Sequence, residues 1–173
     1  QTRCTGARGL PLIPWPNRIR DGAYTFAGNS YQVPLTEPDK HNAIHGFLRW
    51  RNWTCRHHDT DHVTMGTVLH PMMGYPFTLD VIVDYRLDED GLTVRTTATN
   101  IGDESCPYGA GQHPYLSVGT DLLDPCTPQL DRHHYLPTAQ RALPTGRLHL
   151  HCHPLPLPAA LSTRARATRR PLP

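Results

Sequence analysis

The sequence of 173 residues predicts an all-β, antiparallel fold, and three features carry that reading. The stretch "FTLDVIVDYRL" places Phe77, Leu79, Val81, Val83, Tyr85 and Leu87 at period two, with polar Thr78, Asp80, Asp84 and Arg86 between them. Such alternation belongs to a strand with one buried and one wet face. Second, "DEDG" follows as a turn and "LTVRTTATN" returns with Leu92, Val94, Thr96 and Ala98 in phase, which completes a hairpin. Third, 18 prolines and 13 glycines punctuate the chain, and no segment shows the 3.6-residue periodicity of an amphipathic helix. Ile82 is the one apolar residue on the wet face of the first strand.

Two further elements follow in the same way. "AYTFAGNSYQV" reads as two short aromatic-rich strands around a turn at residues 27–30. "HVTMGTVLH" places Val63, Met65, Thr67 and Leu69 on one face. "GYPF" (residues 74–77) reads as a turn with aromatic packing, structural first. From about Arg147 the text becomes "RLHLHCHPLPLPAALSTRARATRRPLP", without alternation, and disorder is expected there. The predicted organisation is therefore a β-domain over residues 1–146 and a Pro/Arg/His-rich tail over 147–173. The abrupt change after "LPTG" also fits a GC-rich gene read in a shifted frame.

Composition excludes several classes. No apolar run approaches the roughly 20 residues that span a bilayer, so no membrane partner is expected. Of the 17 basic residues, Arg147, Arg164, Arg166, Arg169 and Arg170 fall after residue 141, while none of the 15 acidic residues does. Residues 1–141 thus carry a net charge of −3, and no nucleic acid is expected as a partner. The five cysteines are odd in number and lack a C-x-x-C pair, which argues against a disulfide framework or a zinc ribbon. His57, His58 and His62 lie near Asp59 and Asp61, and His149, His151, Cys152 and His153 crowd the tail. Neither group matches an established ligand spacing, so no metal is expected. The N-terminus has no initiator Met and no signal-peptide core, which makes the cytoplasm the expected location and suggests a start inside a longer protein.

Three polar groups could carry chemistry. In "PWPNRIRDG", Asn17 and Arg18 lie in a non-repetitive loop, and the guanidinium fork suits hydroxyls or carboxylates. In "HNAIHGFLRW", His45 precedes Gly46, with Asn42 and Trp50 nearby. In "YGAGQHPYL", His113 follows two glycines that suggest a bulge or a close approach of a ligand to the backbone. An imidazole, with its ordinary pKa near 6.5, can move a proton at neutral pH. Each position also has a plain structural reading: Arg18 tying down a loop, His45 in a core or turn, and His113 as packing.

Taken together and in order, "PWPNRIRDGAYTFAGNSYQVPLTEPDKHNAIHGFLRW", "GYPFTLDVIVDYRLDEDGLTVRTTATN" and "YGAGQHPYL" resemble the bacterial aldose 1-epimerase (mutarotase) family from about residue 8 to residue 146. The resemblance covers about half of a family member. It implies an antiparallel β-sandwich of the galactose-mutarotase type, incomplete at its C-terminal side. It implies an isomerase that interconverts the α and β anomers of a small free aldose by acid/base ring opening, with no metal or organic cofactor. By resemblance, His113 is the acid that protonates the ring oxygen, His45 binds the sugar, and Arg18 with Asn17 contacts its hydroxyls. The family's base is a glutamate of the C-terminal half, and a substrate-binding aspartate lies there too. This chain has no Asp or Glu after Asp131, so neither is supplied and the chain alone is expected to be inactive. Open strand edges and half a core also predict low stability. Two other readings remain: a non-catalytic carbohydrate-binding β-domain, which would show a sugar response of Trp15, Trp50 or Trp53 fluorescence without turnover, and an interaction domain whose histidines are core residues. The sequence sets neither the preferred aldose nor an oligomeric state.

Overall fold

The structure, a computed structural model, describes residues 6–117 and 134–149. Twelve short strands follow in order: β1 (Pro11–Leu12), β2 (Arg18–Arg20), β3 (Ala23–Phe26), β4 (Asn29–Gln32), β5 (Asn42–Ile44), β6 (Thr54–His58), β7 (His62–Leu69), β8 (Leu79–Asp88), β9 (Gly91–Asn100), β10 (Gly111–Gln112), β11 (His134–Tyr135) and β12 (Leu148–His149). Among the described residues these strands pair antiparallel, and an isolated parallel bridge joins Ile13 to Gly46. The only helical turns among the described residues are of the tight 3-10 type, including Pro38–Lys40 and Leu48–Trp50. No helix there is long and apolar enough to cross a membrane.

The chain divides into two compact units. One comprises Gln1–Pro114 with Arg141–Leu143, the other Tyr115–Gln140 with Pro144–Pro173. In the second unit, β11 pairs with β12 and the Arg147 guanidinium donates to His134 Nδ1 at 3.0 Å. Leu148–His149 thus begins the expected tail as a strand, and residues 150–173 lie outside the described residues.

The first unit contains a four-stranded sheet in the order β6–β7–β8–β9. Its register places Thr67, Val81 and Ala98 side by side, and next to them Met65, Val83 and Thr96. This is the face that the period-two pattern predicts. Leu69, Leu79, Val81 and Val83 are buried there. The burial fades along β8, however, and Leu87 and its cross-strand partner Leu92 are 59% and 64% exposed at the hairpin tip. Periodicity reports which residues share a face, but not whether anything covers it. The opposite face is polar: Arg56 forms a two-pronged pair with Asp80, and Thr64 and His62 both reach Asp84.

The predicted β3–β4 hairpin is present with a tighter turn than expected. Phe26 pairs with Asn29, so only Ala27 and Gly28 are left in the loop, both at positive φ. That geometry matches the primed two-residue turns favoured by strand twist. Its aromatic residues join the core: Tyr24 stacks on Tyr31 at 5.1 Å, and Phe26 meets Phe77 edge-on. "GYPF" is structural, as read. Tyr75 is 2% exposed between Phe47 and Phe77, and its hydroxyl donates to the Pro107 carbonyl.

Candidate active site

The site is built on one extended strip, residues 9–14. On one side, β1 pairs with β10 (Leu12 opposite Gly111), Gly9 N–H donates to the His113 carbonyl at 2.9 Å and His113 N–H donates to the Leu10 carbonyl at 3.3 Å. On the other side, Ile13 bridges Gly46, and the Phe47 and Leu48 amides both donate to the Ile13 carbonyl. The "IHG" and "HPY" segments, distant in sequence, are therefore hydrogen-bonded to the same few residues. The result is that the His45 and His113 rings lie 5.6 Å apart, edge to face at 86°.

Arg18 comes to the same place by a third pairing. β2 runs against β5 with Arg18 opposite Ile44, and the His45 amide donates to the Asn17 carbonyl at 2.8 Å. All four predicted residues, Asn17, Arg18, His45 and His113, are thus held in one neighbourhood. The two glycines before His113 lie against the Pro14–Pro16 segment. Gly109 N–H donates to the Pro14 carbonyl, and a Cβ on Gly111 would lie 2.7 Å from Pro16 Cβ. The missing side chain of Gly111 lets β10 lie close to Pro16.

Glu37, which no sequence pattern marks, governs the electrostatics. It accepts two hydrogen bonds from Arg18, from Nε at 2.6 Å and from Nη2 at 2.7 Å, and a third from Asn42 Nδ2 at 3.3 Å. The guanidinium pulls the Glu37 carboxyl down to about 2, so it is ionised throughout the neutral range. Arg18 Nη1 also donates to Asn17 Oδ1 at 3.0 Å and, at 3.5 Å, to the Ala142 carbonyl. Of the five guanidinium donors, one on Nη2 is left for a ligand. Behind this pair, Arg141 clamps Asp21 at 2.7 Å and the Lys40 carbonyl at 2.7 Å, while its own carbonyl accepts from the fully buried Asn42 at 3.0 Å.

His45 has the opposite character. Burial, with His113, Arg18 and Arg49 nearby, pulls its imidazole down to about 4, and its Nδ1 is buried without a hydrogen-bond partner. At neutral pH it is an uncharged ring that can exchange hydrogen bonds with a hydroxyl without taking a full charge. His113 is half-buried and sits just past the end of β10, its backbone held by the hydrogen bonds to Gly9 and Leu10. The sequence reading missed Glu37, Arg49 and Arg141. Only Arg49, in "HGFLRW" directly after the histidine-glycine pair, had a signal that could have found it. In the histidine-aspartate cluster, His57 Nε2 lies 2.8 Å from Asp59 Oδ2 and His62 Nε2 lies 3.3 Å from Asp84 Oδ1.

The profile of the aldose 1-epimerase family matches residues 4–153. The chain belongs to the aldose 1-epimerase family. Among curated proteins it is 40% identical over 143 residues to the uncharacterized protein YihR of Escherichia coli K12, covering 82% of this chain and 46% of that protein. It is 32% identical over 115 residues to the uncharacterized protein YphB of the same organism, covering 66% and 38%. Among solved structures, a GalM/aldose epimerase homologue from C. elegans superimposes with a TM-score of 0.70 at 18% identity, over 84% of this chain and 46% of that one. The galactose 1-epimerase of Lactobacillus acidophilus gives 0.64 at 24%, over 86% and 46%. These likenesses establish the galactose-mutarotase-like antiparallel β fold. The chain spans less than half the length of each of these relatives.

The pKa directions of His45 and Glu37 set a pH dependence. His45 has a folded-state value of about 4 against 6.5, so between those limits the unfolded chain binds a proton that the folded chain refuses. Stability is full above about 6.5 and is lost as the pH falls toward about 4. Glu37, at about 2 against 4.5, adds a second loss below about 4.5. Urea midpoints measured from pH 7.5 to pH 3 are expected to fall in both windows. In His45→Gln the decline between 6.5 and 4 should be shallower, and a parent-like decline there would show that the buried neutral ring is not its source.

Proposed function

We propose that this chain provides the acid side and the sugar contacts of an aldose 1-epimerase acting on free aldohexoses. The juxtaposition of His45 and His113 at 5.6 Å, beside the Arg18–Glu37 pair, carries the proposal. In this reading an aldose lies against His45 and Arg18. His113, as imidazolium, gives its proton to the ring oxygen O5 while a base removes the proton of the C1 hydroxyl. The C1–O5 bond breaks and the C1 oxygen becomes the aldehyde carbonyl. Rotation about C1–C2 followed by reclosure, with the proton returning to His113, yields the other anomer. General acid catalysis of this kind contributes about 10²–10⁴ in rate.

The base is the part this chain does not provide. Glu37 is within the site, but it is locked to Arg18 and far too acidic to take a hydroxyl proton efficiently. No carboxylate follows Asp131. The chain alone is therefore expected to bind aldose and to leave its mutarotation at the buffer rate. A small carboxylate can replace a missing base. Polarimetry of fresh α-D-galactose, with and without formate, tests both halves of the proposal. With formate present, a rate above the formate-catalysed background is expected, and His113→Asn should abolish the excess. Saturable sugar binding with no formate-dependent excess would favour the second reading, a carbohydrate-binding domain without turnover. No sugar binding at all would overturn both.

A further inference from the structure

The segment Arg141–Leu143 belongs to the first unit, although the residues on both sides of it belong to the second. Arg141 and Ala142 both have positive φ, +61° and +54°, in a region that residues with a side chain seldom adopt. Two such residues in a row persist only where the surroundings hold them. Here they do. Leu143 is buried, and the Arg141 guanidinium donates to the Lys40 and His41 carbonyls and to Asp21.

A second set of contacts leads from this segment to the site. Arg141 grips the fully buried Asn42 side chain at both ends: Asn42 Nδ2 donates to the Arg141 carbonyl at 3.0 Å, and Asn42 Oδ1 accepts from Arg141 Nη2 at 3.2 Å. Asn42 Nδ2 also donates to Glu37 Oε2 at 3.3 Å. The same oxygen accepts from Arg18 Nε, and Glu37 Oε1 accepts from Arg18 Nη2. The carboxamide has two N–H groups and both are used, so its plane follows Arg141 and the carboxylate of Glu37 follows the carboxamide. A two-pronged carboxylate then fixes the plane of the Arg18 guanidinium, and with it the direction of the Nη2 hydrogen left for a ligand. The Ala142 carbonyl, 3.5 Å from Arg18 Nη1, supports that plane from the other end. We propose that Arg141 is a positioning residue of the sugar site, aiming the free donor of Arg18 through Asn42 and Glu37. This rests on the reading of Arg18 as a sugar contact given above and extends it to a residue that touches no sugar.

The test compares the parent with Arg141→Ala, Arg141→Lys, Arg18→Gln and the double variant Arg141→Ala/Arg18→Gln, at a temperature where near-UV circular dichroism shows each to be folded. Affinity for D-galactose, read by ligand-observed saturation-transfer NMR, is expected to fall about fivefold or more in Arg141→Ala, in line with one misaligned hydrogen bond from a charged donor. Adding Arg141→Ala to Arg18→Gln is expected to weaken binding no further, because the residue acts through Arg18. Equal losses in both backgrounds would mean a general loosening of the fold and would overturn the proposal. The Arg18 Nε–H resonance, identified by its absence in Arg18→Gln, is a second readout that needs no sugar. It is expected to shift and to exchange faster with solvent in Arg141→Ala. Arg141→Lys keeps the charge beside Asp21 but cannot also reach Asn42, so it should do the same, and it decides the matter if Arg141→Ala does not fold. An unmoved resonance in a folded Arg141 variant would overturn the proposal. A parent that binds no galactose would overturn the aldose reading instead, and the resonance would still show whether Arg141 places Arg18.

Discussion

Gly46→Ala is expected to cost on the order of 4 kcal/mol or more, which is most of the stability of a marginal domain. Two effects add. Gly46 has φ +62°, where an alanine is strained by about 1–3 kcal/mol. A Cβ built there would also lie 2.0 Å from the Ile13 carbonyl oxygen and 2.7 Å from Pro14 N. These are backbone atoms, and the same carbonyl accepts the Phe47 and Leu48 amides, so no side chain can swing aside. The substitution must push residues 9–14 away from the His45 segment and separate the two histidines. Gly28→Ala is the control. Its φ is +80°, but nothing lies within 4 Å of the added carbon. It should lose only the strain, about 1 kcal/mol. Urea denaturation of both variants checks this. A Gly46→Ala protein as stable as Gly28→Ala would mean that the strip is not pressed against residue 46.

Glu37→Gln is the second large effect, at about 2–3 kcal/mol. An exposed ion pair contributes under about 1 kcal/mol. The Arg18 and Glu37 side chains are only 15% and 19% exposed and meet through two parallel hydrogen bonds. Removing the carboxylate leaves a largely buried guanidinium without its counter-charge, a loss that reaches 3–5 kcal/mol for fully buried pairs. The one oxygen that glutamine keeps would have to serve both Arg18 Nε and Asn42, which is itself fully buried. Arg18→Gln should cost a similar amount, and the double variant clearly less than the sum of the two. A double-mutant cycle by urea denaturation measures that coupling. Additive single costs would show that the two side chains do not depend on one another.

Much of the fold could be read from the sequence where a local rule sets it. The β8–β9 hairpin was legible because period-two alternation and a turn signal coincide within residues 77–100, and the β3–β4 hairpin because aromatic strands flank Ala27-Gly28. The exposure of Leu92 and Val94 was not legible, since their pattern is the same whether or not another layer covers them. In the site, the identities of Arg18, His45 and His113 were visible in motifs, but their proximity was not. It depends on β1 and β10, strands of two residues each, too short to show any period. Glu37 was missed because a carboxylate in "TEPDK" means nothing until β2–β5 brings Arg18, 19 residues away, onto it. Arg141 was missed for the same reason, at a separation of 120 residues from Asp21.

The strip at residues 9–14 has one further consequence, which concerns the order of events as the chain is made. Its partners on one side are near at hand, around residues 45–48, but those on the other are residues 109–113. At a synthesis rate of about 5–20 residues per second, one edge of the strip waits on the order of 5–20 s for its mate. Until then that edge is uncovered, while the β6–β9 meander can form from neighbours alone. Of Asn17, Arg18, His45 and His113, the last is therefore brought into place well after the other three have left the ribosome.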